Sequence, residues 1–276
     1  MCENPKMLAI ICQLWECFQI EKYADDDDCS VSVFQNHPFG PFDTNHAFSY
    51  IDRICYRIPT TTSKEIGRSL SNGNKSLKKS WPLQRSLTPH LDCCPKTILQ
   101  GSRGVSKWRP LQSFISLTDN LKQNTGGFEC VPGFHREFDE WTRHRKPSKG
   151  KGGVEIDPPC VGEFTPIRPV EDGDVLRKVQ HIACRAGSFV IWDNRLPHAN
   201  ARLNESVVPR ECVYVSFLPD VDVNRVYNQK QLEKYRHRTV CTDQWVERDE
   251  NAIEDEIDEY SFSALGRKLM GIDSWN

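Results

Sequence analysis

Between Arg109 and Pro219 the chain is a succession of short β-branched and aromatic runs punctuated by turn residues. RPLQSFISLTD (109–119) alternates apolar and polar positions, with Leu111, Ser113 and Ile115 on one register. GGFECVPG (126–133) is bounded by Gly and Pro, and RKVQHIACRAG (177–187) alternates Val179, His181 and Ala183 against polar neighbours. SFVIW (188–192) and ECVYVSFLP (211–219) are rich in residues that fit a pleated surface. Runs of this kind read as strands. Several of them without intervening helices imply an antiparallel barrel or sandwich. The expected fold class is mainly β with flanking helices.

The two ends read differently. Asn4 is a good N-cap and Pro5 fits a first helical turn. Leu8, Ile11, Trp15 and Phe18 follow at helical spacing, so an amphipathic helix is expected over 5–20. Asp25 to Asp28 should end it by mutual repulsion. Residues 61–80 are rich in Ser, Lys, Gly and Asn and read as an inserted loop. Helices are expected over 226–237 and 243–270. No internal repeat is visible. The expectation is one domain over 1–276, with a β core at about 81–220 and helical extensions over 1–80 and 221–276.

Composition excludes some classes. No apolar run approaches the ~18 residues that span a bilayer. The short apolar stretch Met7 to Trp15 has no basic segment before it, which argues for mature protein and a cytoplasmic location. The twelve cysteines include no CxxC pair, so zinc-finger spacing is absent and reduced thiols are expected. Net charge is −2, which does not advertise nucleic-acid binding, and no membrane partner is expected. Charge is uneven: 64–85 and 142–152 are basic, and 247–259 is acidic. The expected partner is a small-molecule substrate. The basic segments would favour an anionic one if they flank the pocket mouth.

The chemistry-bearing segment is LTPHLDCCP, in which one residue separates His90 from Asp92. On extended backbone these side chains share a face. With one distant histidine they would make the two-histidine, one-carboxylate facial triad of non-heme Fe(II) oxygenases. The dyad alone is weak evidence, because eight histidines make a chance His-x-Asp about as probable as not. More telling is AGSFVIWDNRLPHANARLNESVVPR, where an apolar run leads into His198 and Arg210 follows twelve residues later. Adjacent strands would bring both into one interior. A buried arginine is costly unless an anion meets it, and the distal carboxylate of 2-oxoglutarate suits a guanidinium fork. The bland alternative is that Arg210 caps its strand in solvent.

The order His90-Leu-Asp92, Trp108, FISLTD, GGFECVPGFH, AGSFVIWDNRLPHAN and Arg210 resembles the phytanoyl-CoA dioxygenase-like family over roughly residues 81–218. The resemblance implies a double-stranded β-helix (jelly-roll, cupin-like) core and an Fe(II)/2-oxoglutarate-dependent dioxygenase acting with O2. It implies that His90, Asp92 and His198 bind iron. It places Arg210 on the distal carboxylate of 2-oxoglutarate with Asn200 beside it, and Trp108 in the cosubstrate pocket. Gln112 would add a hydrogen bond. Related halogenases carry a small non-ligating residue at the position of Asp92, so Asp92 points to hydroxylation, with release of succinate and CO2.

The spacing from Asp92 to His198 is long for that family, and the stretches 146–151 and 157–169 read as an insertion that accounts for it. His135 and Glu137 form a rival His-x-carboxylate dyad, ranked lower because PGFH matches a turn in the family. Two other functional classes stay open on sequence: a catalytically silent jelly-roll that binds partners, and a cupin-like metalloenzyme that does not use 2-oxoglutarate.

Overall fold

The computed structural model describes residues 3–23, 39, 42–71, 88–100, 105–149, 153, 155–156, 163–239 and 260–275. In chain order the elements are α1 (Pro5–Tyr23), β1 (Ala47–Tyr50), β2 (Ile54–Arg57), α2 (Thr60–Ser71), β3 (His90–Leu91), α3 (Pro95–Gln100), β4 (Leu111–Ser116) and β5 (Phe128–Cys130). They continue with α4 (Phe138–His144), β6 (Ser148–Lys149), β7 (Glu155–Ile156), β8 (Thr165–Pro166), α5 (Gly173–Arg177), β9 (Gln180–His181) and β10 (Phe189–Asp193). The last are β11 (His198–Asn200), β12 (Arg210–Tyr214), β13 (Ser216–Pro219), α6 (Asp222–Arg236) and α7 (Ala264–Leu269). The fold is mainly β, with antiparallel sheets and flanking helices, as expected. Among the described residues no barrel closes.

The contacts divide the chain into two compact units. The first comprises Met1–Arg53, Gly101–Gln112 and Val215–Asn276. In it β1 and β13 pair antiparallel, Ala47 opposite Pro219 through Tyr50 opposite Ser216. Phe48, Tyr50, Leu218 and Tyr227 form a buried cluster. Gln231 of α6 ties helix to strand: its amide donates to the Ser49 carbonyl at 2.8 Å and accepts from the Ile51 N–H at 2.8 Å. A buried amide satisfied on both sides fixes position, because leaving either group unpaired costs about 1–3 kcal/mol.

The second unit comprises Ile54–Gln100 and Ser113–Tyr214. One sheet has the order β10-β4-β12-β2 and another the order β8-β3-β11-β5-β9. Phe114, Phe128, Cys130, Cys184, Trp192 and Cys212 make one buried cluster, and Leu91, Cys93, Val131, Phe134, Phe138, Ile167 and Val175 another. Side chains that alternate along each strand supply these interiors. At Gly126 the backbone turns with φ +73° and an added Cβ would lie 3.2 Å from Arg57 Cδ, so the turn into β5 needs glycine.

Several expectations need correction. Residues 60–71 are helix, not loop: α2 buries Ser63 and Gly67, so its inner face carries no apolar periodicity to read. It is held at its start by Thr60, whose N–H donates to the Asn204 carbonyl at 2.8 Å and whose hydroxyl accepts from Asn204 N–H at 2.8 Å. The β structure begins before residue 81, since β1 and β2 lie within the supposedly helical extension. Thr165 and Pro166, read as part of an insertion, pair with β3 at Leu91 and His90. Seven described cysteines are free thiols, but Cys94 is disulfide-bonded, against the expectation of reduced thiols throughout. The expected helix over 5–20 is α1, and that over 226–237 is α6. Residues 240–259, including the acidic run, lie outside the described residues, as do 72–87 and 150–152 of the basic segments. No helix among the described residues is long and apolar enough to cross a membrane.

Candidate metal centre

His90 opens β3 and His198 opens β11, and the two are direct partners across an antiparallel pair. Partners on one face of such a pair have neighbouring side chains. Here the imidazole centroids are 4.8 Å apart. Asp92 lies two residues beyond His90, where extended backbone returns its carboxylate to the same side. His90 Nε2 is 3.4 Å from Asp92 Oδ1, and His198 Nε2 is 3.6 Å from Asp92 Oδ2. The three ligating atoms all lie within 4.8 Å of one another.

The rest of each imidazole is committed. His90 Nδ1 lies 2.9 Å from the Thr88 carbonyl, and His198 Nδ1 lies 2.9 Å from the Leu196 carbonyl. A carbonyl only accepts, so both Nδ1 atoms carry the proton and both Nε2 lone pairs face the carboxylate. Two neutral imine nitrogens and a carboxylate converging without a donor between them repel one another. A cation at the centre removes that repulsion, so the donor set fits a divalent transition metal.

The surroundings reinforce this. Burial holds the His198 ring below its ordinary pKa, which keeps it neutral and competent as a ligand. Both imidazoles are buried, while the Asp92 side chain is 26 % exposed, so the cluster opens on the carboxylate side. Phe164 lies 4.9 Å from the His90 ring, and Trp192 5.2 Å from the His198 ring. These apolar walls lower the local dielectric and limit the rotation of both rings.

Asn200 follows His198 by two residues on β11 and so shares its face, about 7 Å further along the strand. Its Oδ1 accepts from Arg210 Nη1 at 2.8 Å, and its amide donates to the Tyr214 hydroxyl at 3.4 Å. Arg210 opens β12, opposite Arg57 of β2. It is 2 % exposed, so it is not the solvent cap that the sequence left open. Its Nη1 also donates to Cys55 Sγ at 3.2 Å, and the guanidinium lies 5.2 Å from the centroid of the Phe114 ring. Nε and Nη2 are buried without a hydrogen-bond partner, and no carboxylate among the described residues pairs with the group.

The structure thus brings His90, Asp92 and His198 together, and Arg210 and Asn200 together. Trp108 and Gln112 belong to the first unit. The buried Trp108 exchanges backbone hydrogen bonds with the Asn224 side chain, donating at 2.8 Å and accepting at 2.9 Å. Its ring packs 5.7 Å from that of Phe42. Gln112 is 3 % exposed on β4, with Nε2 unpartnered. His135, the rival, is absent from the three-donor cluster. Cys55 and Tyr214 are the members that sequence reasoning missed. Tyr214 was within reach, because it is four residues from Arg210 on one strand and faces the same way. Cys55 depends on a pairing that no local pattern announces.

No protein-family description matches the chain. It is 25 % identical over 162 residues to a protein of Dictyostelium discoideum named "Putative phytanoyl-CoA dioxygenase", and the resemblance read from the residues is borne out to that extent. The match covers 59 % of this chain and 39 % of that relative, so the chain spans well under half of its length. Among solved structures, the GlcNAc Inducible Gene 2 protein of Candida albicans aligns with a TM-score of 0.60 at 17 % identity, covering 87 % of this chain and 59 % of that one. A hypothetical protein of Escherichia coli, JW0805, also gives 0.60 at 17 % identity, covering 98 % of this chain and 66 % of that one. At such identities the likeness is one of fold.

Proposed function

We propose that this chain is an Fe(II)- and 2-oxoglutarate-dependent dioxygenase that hydroxylates a C–H bond of a small molecule, with release of succinate and CO2. The observation that carries this reading is the pairing of a His-Asp-His donor set with a buried arginine whose free N–H groups lack an acceptor. His90, Asp92 and His198 would hold the iron through three ligands and leave its remaining positions for the cosubstrate and O2. The iron, when bound, supplies O2 activation and the oxidising step.

The residues do the positioning. Arg210 would receive the distal carboxylate of 2-oxoglutarate on Nε and Nη2, the two donors left unmatched in the ligand-free chain. Asn200 holds the guanidinium in place from the same strand that carries His198. Thr88 and Leu196 carbonyls fix the histidine tautomers. Phe164 and Trp192 exclude water from the histidine side. The two antiparallel sheets of the second unit serve in this reading as the two faces of a jelly-roll. The basic segments favour an anionic substrate, for which substrate binding should weaken as salt is raised.

The test needs no substrate. Metal-stripped protein receives Fe(II) and 2-oxoglutarate without oxygen, and the visible charge-transfer absorption of the chelate is recorded. The band should form with the wild type, be lost in Asp92→Ala and weaken in Arg210→Met. A folded wild type that gives no band refutes the proposal. A metal site that forms normally but ignores both 2-oxoglutarate and Arg210→Met would identify a cupin-like metalloenzyme instead.

A further inference from the structure

Cys55 of β2 and Cys212 of β12 are direct partners across the antiparallel pair. Such partners have Cα atoms about 4.5–5.5 Å apart, within the ~4.4–6.8 Å that a disulfide spans. Both are free thiols here, and Cys212 hydrogen-bonds to the Cys55 sulfur. Cys212 is fully buried, whereas Cys55 is half-buried on an edge strand.

The charge around Cys55 is unusual. Its sulfur accepts from Arg210 Nη1 at 3.2 Å, and Arg57 stands two residues along the same strand. This sulfur and Asn200 Oδ1 both accept from Nη1 of the Arg210 guanidinium. A thiol beside a buried cation is drawn toward the thiolate, the form that reacts with oxidants. The Cys212 hydrogen bond, followed by Arg210 and Arg57 acting against burial, brings the Cys55 thiol down to about 6. Burial pushes the Cys12 and Cys130 thiols the other way. Tyr214 and Cys212 also face the sulfur, Cys130 and Cys184 share its cluster, and all four are pushed toward their neutral forms.

We infer that Cys55 and Cys212 form a peroxide-reactive pair, with Cys55 as the attacking thiolate and Cys212 as the resolving thiol. In the first step the Cys55 sulfur displaces hydroxide from hydrogen peroxide and becomes a sulfenic acid. In the second the Cys212 sulfur attacks the sulfenic sulfur, its proton leaves with the hydroxide as water, and the disulfide forms. Peroxide is reduced and two thiols are oxidised. The product withdraws the thiolate from Arg210, so the same step alters the arginine proposed above to receive 2-oxoglutarate.

The full chain, freed of metal by chelation, is treated with hydrogen peroxide, quenched in denaturant with an alkylating reagent and mapped as peptides without reduction. A Cys55–Cys212 linked peptide should dominate. Cys55→Ser should abolish it, and Cys212→Ser should leave Cys55 as a sulfenic acid that dimedone captures. Iodoacetamide labelling of Cys55 in the native protein should follow a midpoint about 2.5 pH units below the ordinary thiol value near 8.5, and Arg210→Met should move it back. If Cys55 stays unmodified while the circular dichroism is that of the folded chain, or links to Cys130 or Cys184 in the same cluster, the inference fails. None of these readouts uses iron or 2-oxoglutarate, so that failure is separate from any failure of the dioxygenase reading.

Discussion

Replacing Arg210 with methionine separates a ligand-binding arginine from a structural one. A buried cation held by a carboxylate is structural, and removing either partner of such a pair costs about 3–5 kcal/mol. Arg210 has no such partner among the described residues, and its Nε and Nη2 are buried unmatched. Each unmatched donor costs about 1–3 kcal/mol, and methionine relieves both. Against that gain, Asn200 Oδ1 and Cys55 Sγ each lose a donor, again about 1–3 kcal/mol apiece. The contact with Phe114, worth about 0.5–2 kcal/mol, is also lost. The two sides are of similar size, so the ligand-free variant should lie within about 2 kcal/mol of wild type. Binding should behave quite differently. With Fe(II) present and oxygen absent, 2-oxoglutarate at a hundred times its Kd stabilises the wild type by about 2.7 kcal/mol, a rise in Tm of about 5–10 °C for a chain of this size. Truncating one side of a buried charged contact costs at least about 2 kcal/mol, which is roughly thirtyfold in Kd. At the same concentration the stabilisation of the variant falls below about 1 kcal/mol, or about 3 °C. Thermal melts followed by circular dichroism give both numbers. A variant that keeps the full ligand shift, or that loses 3–5 kcal/mol without ligand, would refute the reasoning.

Arg145 and Asp172 form a true buried pair, with Nη2 to Oδ2 at 2.7 Å and Nε to Oδ1 at 3.2 Å. Arg145 also donates to the Pro166 carbonyl on the strand next to His90. Asp172→Ala should therefore lower urea stability by about 3–5 kcal/mol, whereas an exposed pair such as Lys178–Glu137 should cost less than about 1 kcal/mol. Burial holds the folded-state pKa of His198 below its ordinary value near 6.5, so the unfolded chain takes up a proton that the native chain refuses. The stability that this group contributes is complete above about 6.5 and declines as pH falls below it. Urea midpoints at two pH values on either side should show a drop that His198→Gln reduces.

Elements whose buried face carries large apolar side chains were legible. The runs 109–119, 126–133, 188–192 and 211–219 contain β4, β5, β10, and β12 with β13, because alternation is set by the pleat and needs no partner to be visible. α2 was not legible, since Ser63 and Gly67 make its buried face and its start is held by Asn204, far away in sequence. Strands of two residues, such as β3 and β8, are too short to show any period and exist because their neighbours supply hydrogen bonds.

The sequence by itself determined the donors. His90 and Asp92 stand two apart, His198 and Asn200 stand two apart, and wherever the backbone is extended each pair lies on one side. Only the tertiary structure decided that His198 falls opposite His90, that Arg210 is buried without a counter-charge, and that Cys55 meets both Arg210 and Cys212. The physical reason is register. A slip of one residue between β11 and β3, or between β12 and β2, would turn these side chains to opposite faces. Register is fixed by packing and hydrogen bonds summed over the whole sheet, which no single segment encodes.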